Sequence, residues 1–178
     1  QPTNLMALVY KGRVAARRAV ASGKPEDWKE ARRWILKANK ANPEHALPFM
    51  LYYDSFIAAN EVPNTGAVNG LFKSVILVPQ DDGLRIRAAV ELIREGDSAK
   101  ARSVIAPAAF QAEGVGESPS LKLVVEIDKG AKQEALLAKI KELKLDKIND
   151  FIDPPKKEPK DGKDGKDGKD GKEGGKSA

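Results

Sequence analysis

At 178 residues, 41% of them hydrophobic and 32% charged, the chain can form one domain, or one domain with a tail, under a heavily charged surface. It has no cysteine, which excludes disulfides and thiol chemistry, and no apolar run approaches the ~18 residues that a membrane-spanning helix needs. The net charge of +5 is spread thin, at +4 over 1–61, zero over 62–114, −1 over 115–154 and +2 from 155 onward, so no dense basic block argues for nucleic acid. No signal peptide is visible, and the opening Gln1-Pro2-Thr3 leaves room for upstream sequence.

In chain order, Leu5 to about Ser22 reads as a helix, with Leu5, Leu8, Val9, Gly12, Ala15, Ala16, Ala19 and Val20 on one face. Gly23 supplies the left-handed residue at its end, and Pro25 suits the first turn of the next helix. That helix runs to about Ala41, burying Trp28, Ala31, Ile35 and Ala38, and Asn42-Pro43 breaks it. A third helix, about Leu47 to Asn60, is the most aromatic, with Phe49, Tyr52, Tyr53 and Phe56. A fourth covers about Thr65 to Val78, burying Ala67, Leu71, Val75 and Val78, and a fifth about Gly83 to Glu95, burying Leu84, Ala88, Ala89 and Leu92. Asp81-Asp82 offers an N-cap to the fifth, and Asp97 or Ser98 to a sixth that ends near Pro107.

Residues 111–119 read as a loop. Beyond it, Ser120–Lys129 reads as a helix with Leu121, Val124, Val125 and Asp128 on one face, although Leu123-Val124-Val125 equally suits a strand. Lys132–Lys144 follows, with Leu136, Leu137, Ile140 and Leu143 inward. From Pro154 to residue 178 the composition falls to Lys, Asp, Glu, Gly and Pro. Glycine recurs every third residue, but the triplets lack proline and are too few for a triple helix, so the tail is expected to be disordered.

One spacing recurs: Ala31/Ile35/Ala38, Ala67/Leu71/Ser74 and Ala101/Ile105/Ala108, with Pro43 and Pro79 each five residues after the first two triplets. The leading alanines are 36 and 34 residues apart, the period of an array of helical hairpins. Gly130 and Ala135 extend the register into a degenerate fourth hairpin, 120–150, where Lys139 replaces a large apolar residue. The pattern resembles the tetratricopeptide repeat, in which small residues let two helices touch and larger ones fill the gaps. Phe49, Tyr52 and Phe56 match its first-helix positions; Arg85 in place of an aromatic and Tyr53 in place of a small residue depart from it. The resemblance implies an all-α right-handed superhelix, with three hairpins over 1–110. More faintly, residues 42–110 are similar to the C-terminal helical region of large bacterial envelope proteins whose N-terminal part resembles a metallopeptidase. That similarity implies a bacterial source and leaves the compartment open between cytoplasm and periplasm.

No Gly-rich phosphate loop, paired catalytic carboxylates, nucleophile motif or Cys/His cluster is visible, so the chain is expected to be non-enzymatic and without a cofactor or metal. His45, the single histidine, lies where a loop enters a helix, Asp81-Asp82 reads as a cap, and the aromatics of the third helix read as core. Arg13, Arg17, Arg18, Arg32 and Arg33 form the strongest charge cluster. The resemblance implies a concave groove lined by the first helices of the hairpins. Its matched positions are Arg13 and Arg17, then Leu47, Met50, Asp54 and Ile57, then Ile86, Val90, Ile93 and Arg94. An apolar middle between arginines suits a peptide or partner protein carrying acidic groups. The expected function is therefore protein binding. The alternatives are an accessory C-terminal domain of a larger envelope protein, and weak nucleic-acid attachment, which the charge distribution disfavours.

Overall fold

The computed structural model describes residues 4–110 and 118–147. They form eight α-helices: α1 (Leu5–Ser22), α2 (Pro25–Ala41), α3 (Ala46–Ala58), α4 (Thr65–Leu77), α5 (Asp82–Arg94), α6 (Ser98–Phe110), α7 (Pro119–Asp128) and α8 (Gln133–Glu142). No strand occurs among the described residues. The all-α architecture, eight helices packed against their neighbours, is compatible with a helical repeat. The expected loop 111–119 lies outside the described residues up to position 117, and so does the expected tail.

The helix limits follow from capping. Asn4 Oδ1 accepts from the backbone N–H groups of Met6 and Ala7 at 2.9 and 3.2 Å, and the N–H of Gly23, at φ 65°, closes α1 onto the Ala19 carbonyl. Asn64, Asp81 and Asp97 cap α4, α5 and α6 through Ala67, Leu84 and Lys100. Two expectations are corrected. The stretch read as a helix, with a strand as its alternative, is the helix α7, whose buried residues are Ser120, Leu123 and Val124; Val125, expected on its inward face, is exposed. Helix α6 also runs past Pro107 to Phe110. Pro107 deprives the Ser103 carbonyl of its helical donor. Ser103 is exposed, while Ala108 and Ala109 beyond the proline are buried and hold the last turn down.

The repeated spacing is a packing pattern. Ala31, Ala38, Ala67, Ser74 and Ala101 are fully buried, Ala108 nearly so, and Ile35, Leu71 and Ile105 fill the gaps between them. In the first hairpin the approach is closest at Gly12, where a Cβ would stand 2.8 Å from Ile35 Cγ1. One core joins α1 and α2 to Leu51 of α3, and a second joins α3 and α4 to Leu84 and Ala88 of α5. Each thus couples a hairpin to the first helix of the next.

The fourth hairpin breaks this register. Its packing closes a ring in which α5 meets α6, α6 meets α7, α7 meets α8 and α8 returns to α5, around a single core that includes Val90, Ile93, Leu123, Leu136 and Ile140. Ala135, expected at the small-residue crossing, is exposed, because α8 turns Leu136 and Ile140 inward. Leu137 and Leu143 are half-buried, and Lys139 turns outward to Glu142 at 2.7 Å.

Candidate functional site

The expected groove residues are partly brought together and partly built into the protein. Leu47, Met50 and Ile57 are half-buried along α3, and Ile86 along α5. Val90 and Ile93, expected to line an open groove, are 3% and 1% exposed beneath α8. Gln133 at the start of α8 donates to the carbonyls of Ile93 and Arg94 at 3.0 and 2.8 Å. The turn after α8 brings Leu145 and Asp146 against Tyr53, Ile57, Arg87 and Arg94. The chain itself therefore covers these positions of α5.

The charged positions are also committed internally. Asp54, expected on the groove surface, is fully buried and accepts from Arg87 Nε at 3.0 Å. The Tyr53 hydroxyl donates to Glu91 Oε2 at 2.7 Å, and Arg94 Nη1 donates to both, at 3.1 Å to Tyr53 Oη and 3.2 Å to Glu91. Burial, reinforced by the Glu91 carboxylate, pushes the Tyr53 hydroxyl well above the ordinary tyrosine range. Arg94 thus serves the α3–α5 junction as much as any ligand. Arg13 is half-buried and Arg17 exposed on α1.

An open surface remains where α3 and α5 end and α4 begins. A cleft of about 790 Å³ lies there, with Ile57, Val62, Val68 and Phe72 as apolar wall and Glu61, Glu91, Arg94 and Glu95 as its charges. Val62 is 90% exposed in the loop between α3 and α4. Ile57 and Arg94 line both this cleft and the narrow pocket closed by Leu145, so the two adjoin. Sequence reasoning missed Val62, Phe72, Glu91 and Glu95. For Glu91 there was a signal, since it is a lone carboxylate inside the run Ala88–Ile93.

The other candidates have structural posts. His45 caps α3, its Nδ1 accepting from the Leu47 N–H at 3.2 Å. Arg32 leaves the arginine cluster: it donates to the Ser55 hydroxyl and carbonyl and to Glu61, and lies 3.8 Å from the centre of the Phe56 ring. Tyr53 and Phe56 are core residues, with Tyr52 edge-on to Phe56 at 5.3 Å. Arg85, at a family aromatic position, donates to the carbonyls of Pro79 and Val104 at 2.7 and 3.1 Å. Among the described residues no group of three or more His, Cys, Asp or Glu could hold a metal ion, and no helix is long and apolar enough to cross a membrane.

The described residues define a class, an all-helical bundle of eight helices packed against their neighbours and compatible with a helical repeat. Comparison with known proteins narrows it no further: no family model, curated protein or solved structure matches the chain.

Proposed function

We propose that the chain is a non-enzymatic protein-binding module of tetratricopeptide-like, right-handed superhelical build, taking an extended peptide or a loop of a partner domain in the cleft between the ends of α3 and α5. The observation that carries this reading is the open cleft of about 790 Å³ in which exposed Val62 and half-buried Phe72 and Ile57 stand among charged residues. Apolar side chains of a peptide would fill the wall while its backbone and charges meet the rim. With Glu61 paired to Arg32 and Glu91 to Arg94, Glu95 carries the excess charge of the cleft, so the partner contributes a cationic or neutral polar group at this end, and acidic groups only toward Arg13 and Arg17 on α1. Selection from a random peptide library tests it. Selected peptides should perturb the amide signals of Ile57, Val62 and Phe72 and lose at least tenfold in affinity for Val62→Asp/Thr65→Arg. Peptides that bind that variant as tightly as the wild type would show that the cleft is not the site.

A second reading, an accessory helical domain of a larger bacterial envelope protein, draws support from Met6, Tyr10 and Val20. They are 56%, 69% and 48% exposed along α1, a face that an adjoining domain would cover. The open reading frame at its source decides this one directly.

A further inference from the structure

The first hairpin holds a charge imbalance that neither its core nor the cleft uses. Residues 5–41 carry ten Lys and Arg against three acids, in a chain whose net charge is +5. The acids, Glu26, Asp27 and Glu30, all lie in the first half of α2, and α1 has none. With Arg32 drawn inward to Ser55 and Glu61, three of the other nine cations gather outside on one indole. Lys11 Nζ and Lys37 Nζ stand 4.6 and 4.5 Å from the centre of the Trp34 ring, and the Arg33 guanidinium 5.6 Å from it. Glu30, which accepts from Trp34 Nε1 at 3.4 Å and lies 3.7 Å from Arg33, offsets only part of this charge. Arg33 and Lys37 also border a shallow depression of about 450 Å³ with Lys29, Lys40 and Leu36. Leu36, an apolar side chain among cations, is 45% exposed.

We propose that this outer face of the first hairpin docks on a membrane surface of anionic phospholipid. The lysines would meet headgroup phosphates while Leu36, in the depression they border, enters the interfacial layer and Trp34, two residues away on the α1 side of α2, lies at the edge of the contact. Cations clustered around exposed apolar groups are what an interfacial helix needs, since lysine and arginine stems reach along apolar surface and keep their charge in the headgroups. A single-stranded nucleic acid fits less well. Base stacking requires an open aromatic face, and Trp34 already has ammonium groups over it. Leu36 offers a phosphate backbone nothing.

The test uses the whole chain and vesicles of phosphatidylcholine with or without phosphatidylserine, read by cosedimentation and by tryptophan emission. Of the two tryptophans Trp28 is buried, so a blue shift reports on Trp34. The wild type should bind only the anionic vesicles, and less as salt rises. Lys37→Gln/Lys40→Gln should weaken binding about 25-fold, at about fivefold per lysine, and Leu36→Ser by a smaller factor that salt does not change. Both variants alter exposed side chains and should keep the wild-type circular dichroism. The proposal is overturned if the wild type fails to prefer anionic vesicles, or if the lysine variant binds them as well as the wild type. Tighter binding to an oligonucleotide, with no binding to vesicles, overturns it equally and assigns the face to nucleic acid.

Discussion

The α1–α2 hairpin and the α3–α5 junction hold helices together by opposite means. Between α1 and α2 the contact is dry and close: Gly12 and the buried alanines admit Ile35 until a single added methyl would collide. Between α3 and α5 a buried ion pair, Asp54 with Arg87, and the hydrogen bonds of the Tyr53 hydroxyl with Glu91 and Arg94 span the helices. The first contact is set by shape, so its register is fixed by volume. The second is set by partners, so its register is fixed by which donor finds which acceptor. A buried pair contributes little net stability when intact and costs much when halved.

That contrast gives an order of effects. Arg87→Met should cost the most, about 3 kcal/mol, because it leaves the buried Asp54 carboxylate without the guanidinium. Adding Asp54→Leu should recover all but about 1 kcal/mol of it in urea denaturation; an equally unstable double variant would mean that the link is not acting as a pair. Ala101→Leu should overpack the α5–α6 crossing by about 2 kcal/mol. Ala99→Leu, at an exposed position, should shift the midpoint far less. Tyr53→Phe should remove a pH dependence. Because the folded state holds the Tyr53 proton above the ordinary value of about 10, wild-type stability from this group is complete below that pH. It should fall above it by about 1.4 kcal/mol per unit. The difference between wild type and Tyr53→Phe should then be flat in neutral buffer and change only in the alkaline limb; a flat difference throughout would remove Tyr53 from the buried network. Gly12→Ala is the smallest: a gain of about 1 kcal/mol in helix propensity set against an overlap of about 2 kcal/mol should leave a net loss near 1 kcal/mol. A stabilised Gly12→Ala would show the α1–α2 contact to be looser than its geometry.

The same contrast explains what was legible in the sequence. Ala31, Ile35 and Ala38 and their two later copies could be read because shape-determined packing leaves a periodic trace along a single helix. Asp54 with Arg87, and Tyr53 with Glu91, could not be read as pairs, since the partners are 33 and 38 residues apart and no local spacing joins them. Tyr53 and Arg85 were visible as departures from the family pattern, and each departure marks a buried or bridging hydrogen bond. Within the expected groove, Leu47, Met50, Ile57 and Ile86 were placed by register alone. Val90 and Ile93 were misread because nothing local announces that α8 will fold back over α5. Val62 and Phe72 were missed because the cleft forms where three elements end.

That fold-back has a further consequence, for cooperativity. In an open stack each unit can unfold from the end, so stability is a sum of unit and junction contributions. Here α8 rests on α5 and Gln133 ties down the last carbonyls of that helix, so the third and fourth hairpins form a closed circuit. Amide exchange should therefore show α5 through α8 opening as one unit, with α1 and α2 opening separately.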